Sequence, residues 1–357
     1  MCHMKHRKLT LMVLAAVVFC LVVVLSVRER PKLYRVAVLP SLGGKVTTAT
    51  AINNRGQVVG YGQTEDGVCR LFLWDRENGM EDLGPASSAL FHINDVSQIA
   101  GTALDSKGNK VAFFWDRARG TRTLGTLGGT ESMAQGLNNH GQVVGWSRTA
   151  TGLTHAFVWD EATGMRDLGT PEGDDGEARA INDSGQIVGV SDEAPGHPAM
   201  WTPTGPAIPV SPRRILFGFS DINSHGYTAG SQRFEKEGDF MVLWRQNSSP
   251  KKLFPIEHNI ASWPLVNDAN QLLFAEVHYH WMQRLLRRLG SFTTEYYLWD
   301  PNLGRILLNS RALGLEGDML ELFDLNNRGC LVGRVWGPRS PDVRAVLLEP
   351  IPERWSK

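Results

Sequence analysis

Arg179, Asp221, Asp324 and His92 are the side chains in this sequence whose types and spacing could build a polar ligand pocket. Each stands one or two positions before an Ile-Asn or Leu-Asn pair: Ile181-Asn182, Ile222-Asn223, Leu325-Asn326 and Ile93-Asn94. A guanidinium, two carboxylates and an imidazole brought to one place would hold a charged or hydrogen-bonding ligand, or exchange protons with it. The same two positions elsewhere carry Thr50 and Ala51, Gln135 and Gly136, or Pro264 and Leu265. A ligand site is sought where such repeats differ. The competing reading is a structural lining without ligand, since differences between repeats also accumulate by drift.

Other candidates for chemistry are weaker. No G-x-S-x-G elbow, P-loop or His-Glu-x-x-His occurs, so no catalytic residue is assigned. Asp174-Asp175-Gly176-Glu177 lacks the alternating oxygen ligands of a calcium loop and reads as a solvated acidic turn. His278 and His280 have no third ligand, and Cys69 and Cys330 match no zinc spacing, so neither metal nor cofactor is expected. The two cysteines fall in the first and last repeats. Separate thiols are expected, with a disulfide latch as the alternative. Asn247-Ser248-Ser249 matches a glycosylation acceptor, a pattern short enough to be common by chance.

One segment reads as an interaction surface. Between His278 and Leu289, Trp281, Leu285 and Leu289 recur at helical spacing, while Arg284, Arg287 and Arg288 fall largely on the polar face. This basic amphipathic helix could meet an anionic membrane or partner through Trp281, Arg284, Arg287 and Arg288. Its simpler reading is an insertion, about 277–297, that packs its leucines on the ring.

Repeats must position these residues. The stretch Leu137-Asn138-Asn139-His140-Gly141-Gln142-Val143-Val144-Gly145 has close relatives at Ile52, Ile93, Ile181, Ile222, Val266 and Leu325. Between their asparagines the spacings are 41, 44, 44, 41, 44 and 59 residues. A period of about 40 to 45 residues is the length of one four-stranded propeller blade. Within each, Asn138 and Gly141 or their counterparts supply the turn, since Asn bonds its own backbone and Gly accepts positive φ. Trp74, Trp115, Trp159, Trp201, Trp244 and Trp299 occupy one place in the third strand, with Leu348 there in the seventh repeat, and are assigned to packing between sheets.

The ends complete this reading. Tyr34 to Leu39 resembles a fourth strand without a preceding three, and the seventh repeat stops at Pro350 without a fourth. The expected fold is therefore all-β: a seven-bladed β-propeller of four-stranded blades over 34–350, closed by the N-terminal strand joining the last blade. Residues 351–357 form a tail.

Leu124-Gly125-Thr126-Leu127-Gly128-Gly129, Asn138 to Gly145, His155-Ala156-Phe157 and Asp167-Leu168-Gly169-Thr170 together resemble the HAF-repeat family of predicted extracellular bacterial proteins. Only the third repeat carries the full His-Ala-Phe triplet. The resemblance implies an extracellular location and transfers no catalytic residue.

Composition bounds the function. A formal net charge of +0 argues against a nucleic-acid partner. A basic region, 1–8, precedes an apolar run over 9–27, long enough for a transmembrane signal-anchor helix and longer than a usual cleaved signal, and 28–33 is a linker. The propeller is expected outside the cytoplasm, membrane-anchored through this helix, or secreted if the leader is cleaved. The function expected is a monomeric, non-catalytic binding module for a protein, glycan or envelope component. The alternative is a propeller hydrolase or lyase with a central-channel active site, because scattered sites leave no linear motif.

Overall fold

The computed structural model describes residues 33–86, 90–170, 175–191, 197–202, 205–209, 215–217, 219–256, 259–260, 262, 264–278, 293–315, 318–338 and 340–354. The basic segment with Trp281, Arg284, Arg287 and Arg288, the apolar run 9–27 and Asp174 lie outside these residues. Among the described residues, no helix is long and apolar enough to cross a membrane.

Each repeat is an antiparallel meander. In the third, strands Gly128–Leu137, Val143–Thr149, Thr154–Asp160 and Gly164–Gly169 pair in sequence order, with Leu137 opposite Val143, Val143 opposite Trp159 and Trp159 opposite Met165. Alternate residues along a strand point to opposite faces, so a Val-Val pair such as Val143-Val144 serves both neighbouring units. Val143 joins the apolar cluster shared with the second unit, and Val144 the cluster shared with the fourth.

The core is accordingly a succession of seven apolar clusters, one at each junction between units. The last joins Val332, Ala345 and Leu347 of the seventh unit to Ala49, Val58 and Phe72 of the first. The third-strand position contributes one large side chain to every cluster. Trp115, Trp159, Trp201 and Trp244 are buried, Trp74 and Trp299 are half-buried, and Leu348 fills the place in the seventh unit. Aromatic contacts across junctions add to this: Phe114 lies 5.2 Å from Trp159, ring centre to ring centre.

Two glycine positions in the motif have different causes. The turn glycine, Gly141, sits at φ 74°, a conformation that costs a side-chain-bearing residue free energy. The glycine closing the motif, Gly145, faces an irregularity in the first strand between Ala134 and Gly136. A Cβ there would lie 1.9 Å from the carbonyl oxygen of Met133, so the bulged strand requires its absence.

The expected seven separate four-stranded sheets, closed by the N-terminal strand, are corrected here. Among the described residues the strands form six sheets and none closes on itself. The first and last units share one eight-stranded sheet, because Val46 of Gly43–Ile52 bridges Val343 of Ser340–Pro350 in parallel. Strand Tyr34–Val38 pairs antiparallel with Ser340–Pro350 in that sheet, Tyr34 opposite Pro350 and Val38 opposite Val346. The sixth unit departs as well. Its inner strand is split into Asn259–Ile260 and Leu265–Val266, both paired to Leu272–His278, and Pro264, which has no N–H to give to a ladder, stands just before the second piece. Apart from that bridge between the first and last units, strand pairing among the described residues runs within units, and units meet largely through side chains.

Truncating the most enclosed of the third-strand rings tests this core. Trp201 is 0% exposed, and Trp201→Ala is expected to lower stability by about 3–5 kcal/mol in denaturant unfolding. An unchanged unfolding midpoint would contradict the packing role.

Candidate functional site

The repeated asparagines converge at one end of the molecular axis. Each is at most 5% exposed. The Oδ1 atom of Asn138 accepts from the backbone N–H of His140 and Gln142, which shapes its own turn. Its Nδ2 donates to Oε1 of Gln142 and, at 3.2 Å, to the carbonyl of Asn182 in the next unit. The same inter-unit bond runs from Asn53 to Asn94, Asn94 to Asn138, Asn182 to Asn223, Asn223 to Asn267, Asn267 to Asn326, and Asn326 back to Asn53. Seven side-chain amides thus form an unbroken ring of hydrogen bonds.

A second belt lies one residue further along. Asn54 bonds Asp95, Asp95 bonds Asn139, Asn139 bonds Asp183, Ser224 bonds Asp268, Asp268 bonds Asn327, and Asn327 bonds Asn54. Carboxylates and carboxamides therefore interleave around the rim. The charge-assisted members, such as Asn139 N–H to Asp183 at 2.8 Å, are the stronger kind of hydrogen bond.

These belts surround a cavity of about 230 Å³. Asp95, Asp183 and Asp268 stand at its rim, and Asp221 and Asp324 complete its acidic lining. Among the described residues, no lysine, arginine or histidine lines it. Asp221 and Asp324 also act as staples. Asp221 accepts the N–H of its own neighbour Ile222 and that of Val266 in the sixth unit, and Asp324 those of Leu325 and of Ile52 in the first unit. The Asp221 staple holds the short inner strand of the sixth unit, where Ser220 also donates to the carbonyl of Pro264. Burial pushes the Asp221 carboxyl up, and burial with the Asp221 charge pushes that of Asp324 up to about 7 despite its two N–H donors.

Of the four residues proposed from sequence as a pocket, the structure brings Asp221 and Asp324 to this cavity but not Arg179 or His92. His92 is half-buried, and burial lowers its imidazole to about 4, which keeps it neutral near pH 7. Arg179 lies 3.8 Å from Glu177 on its own strand, and burial draws its guanidinium below the usual range. The sequence reading missed the asparagine ring and the carboxylate rim. A signal was present: turn chemistry tolerates Asp as well as Asn, yet only Asn occupies this place in all seven repeats. Among the described residues no group of three or more His, Cys, Asp or Glu is placed to hold a metal ion, and Cys69, exposed, and Cys330, buried, are both free thiols.

No family model matches the chain, and no curated protein does. Solved structures do. The β-propeller domain of the Trilobed protease from Pyrococcus furiosus, described as having an open velcro topology, is 10% identical with a TM-score of 0.55, over 89% of this chain and 96% of that one. A puromycin-hydrolysing peptidase from Mycobacterium tuberculosis is 13% identical with a TM-score of 0.50, over 89% of this chain but 52% of its own. TolB from Acinetobacter baumannii is 12% identical with a TM-score of 0.45, over 83% and 79%. The first two likenesses establish a propeller fold and nothing about activity.

The raised Asp324 carboxyl gives a pH test. Its folded value, about 7, exceeds the roughly 3.9 of an unfolded aspartate, so its stabilisation is complete below that lower value and is lost as pH rises through the higher one. The melting temperature of the wild type minus that of Asp324→Asn should therefore fall from pH 4 to pH 8. A constant difference would show that the carboxyl titrates normally.

Proposed function

We propose that this protein is a non-catalytic binding module of the cell envelope whose axial cavity receives a cationic group of its partner. The observation that carries this reading is the cavity lining, where Asp95, Asp183 and Asp268 stand at the rim above the raised carboxyls of Asp221 and Asp324 and, among the described residues, no basic side chain contributes. Clefts lined by one sign of charge concentrate the opposite sign. An ammonium or guanidinium group, on a basic peptide or an amine-bearing envelope component, fits this chemistry. The ring of asparagines fixes the rim in advance, which lowers the ordering cost of binding.

A hydrolase or lyase in the channel is the second reading, and one feature favours it. A buried carboxyl pushed up to about 7 beside a second carboxyl is the setting of a general acid. Against it, Asp221 and Asp324 each already accept two backbone N–H groups that join units. Binding therefore remains the better-supported proposal. The location follows from the apolar run 9–27, which we read as the tether of an extracytoplasmic propeller, in keeping with the resemblance to HAF-repeat proteins.

Calorimetric titration with spermidine and with tetralysine tests the cavity. Saturable binding that weakens with added salt is expected, and a paired Asp183→Asn, Asp268→Asn variant should bind roughly tenfold more weakly while retaining its unfolding transition. Absence of saturable heat, or equal affinity in the folded variant, would rule the reading out. The tether predicts that cell membranes release the protein in detergent but not in high salt. Release by salt alone would refute it.

A further inference from the structure

Away from the axis, a second cavity of about 330 Å³ opens where the second unit meets the third. One wall is the hairpin joining strands Ile99–Leu104 and Lys110–Asp116, and the other is the link from strand Gly120–Gly125 into Gly128–Leu137. That link belongs to the Leu124 to Gly129 motif, which the axial site does not use.

Both walls are set without a ligand. In the hairpin, Asp105 Oδ1 accepts the N–H groups of Lys107 and Asn109, and its Oδ2 accepts from Asn109 Nδ2. Hydrogen bonds from Asn109 hold the Asp105 carboxyl below the usual carboxylate range, so it remains a charged acceptor. In the link, Thr126 Oγ1 donates to the carbonyl of Gly129 at 2.8 Å and accepts the N–H of Gly128. A Cβ on Gly129 would stand 2.5 Å from Cβ of Arg148 and 2.7 Å from its carbonyl oxygen, so glycine allows the link to lie flat on the neighbouring strand.

The lining combines hydroxyls, methyls and one carboxylate–carboxamide pair. Thr123, Thr126 and Thr130 line the cleft, the hydroxyl of Thr126 already bonded within the link, and Asp105 with Asn109 places acceptors and donors side by side. Its charged side chains, Asp105 and Lys107, cancel. Such a surface suits a molecule with hydroxyl edges and C–H faces and no net charge, and the volume lies at the lower end of the roughly 300–1,000 Å³ typical of small-ligand sites. We propose that this cleft binds a neutral sugar residue, a glycan contact separate from the axial cavity. The aspartate would accept sugar hydroxyls, the hydroxyls of Thr123 and Thr130 would bond ring substituents, and the threonine methyls would cover a C–H face.

The test uses glucose, galactose, mannose and N-acetylglucosamine, with inorganic phosphate as a charged control, each titrated into the intact protein and followed by saturation-transfer NMR and calorimetry. At least one sugar should bind saturably, and a Thr123→Val, Thr130→Val variant, which preserves shape and removes two hydroxyls, should weaken it roughly tenfold. Asp268→Asn, in the axial rim, should leave sugar binding unchanged and so separate this site from the other. No saturable binding of any of the four sugars, equal binding in the folded double variant, or competition by phosphate would overturn the proposal.

Discussion

One hydrogen bond, repeated seven times, holds the inner end of this fold in register: an asparagine Nδ2 of each unit donates to the asparagine carbonyl of the next. Each of these side chains is buried, so its amide has to find partners within the protein. It does so in two directions at once. Oδ1 fixes the turn of its own unit, and Nδ2 fixes the distance to the neighbour, so local turn geometry and global ring geometry depend on one side chain. An aspartate would keep the first function and lose the second, because it has no N–H to give.

The belt one residue beyond follows from that ring. Once the turns are clamped at a fixed spacing, the next side chain of each turn lies beside its counterpart in the adjacent unit, and alternating Asn and Asp satisfy each other's donors and acceptors. Stability and binding chemistry therefore share residues. Carboxylates such as Asp95 and Asp183 accept inter-unit N–H groups while contributing negative charge to the axial cavity. Asp221 and Asp324 carry the same duality deeper in, and their mutual repulsion is tolerated because backbone N–H groups from two units meet them.

Much of the fold was legible in sequence because its determinants are periodic. The spacing of Ile-Asn and Leu-Asn pairs located the units, and the third-strand tryptophans marked the faces that meet at junctions. What periodicity could not convey was how sheets are bounded: a single bridge at Val46 and Val343 merges two units, and Pro264 accompanies a split strand in the sixth. For the site, the four residues proposed as a pocket are not brought together. Asp221 and Asp324 lie one residue before the pair and reach the cavity, whereas Arg179, two residues before it, does not, and His92, which shares the position of the aspartates, is not among its lining residues. The rim was missed because turn residues were read as serving their own hairpins. The restriction to Asn at one position, beside free exchange of Asn, Asp and Ser at the next, carried the distinction between a structural bond and an adaptable one.

Hydrogen–deuterium exchange read by mass spectrometry measures the ring directly. The amides of Gln57, Gln98, Gln142, Gln186, Tyr227, Gln271 and Cys330 donate to the Oδ1 atoms of the seven asparagines. If one closed ring holds these turns, their segments should share a single slow exchange class, and Asn182→Asp should speed all seven together. Graded protection among the wild-type turns, or a loss confined to the units touching residue 182, would contradict it.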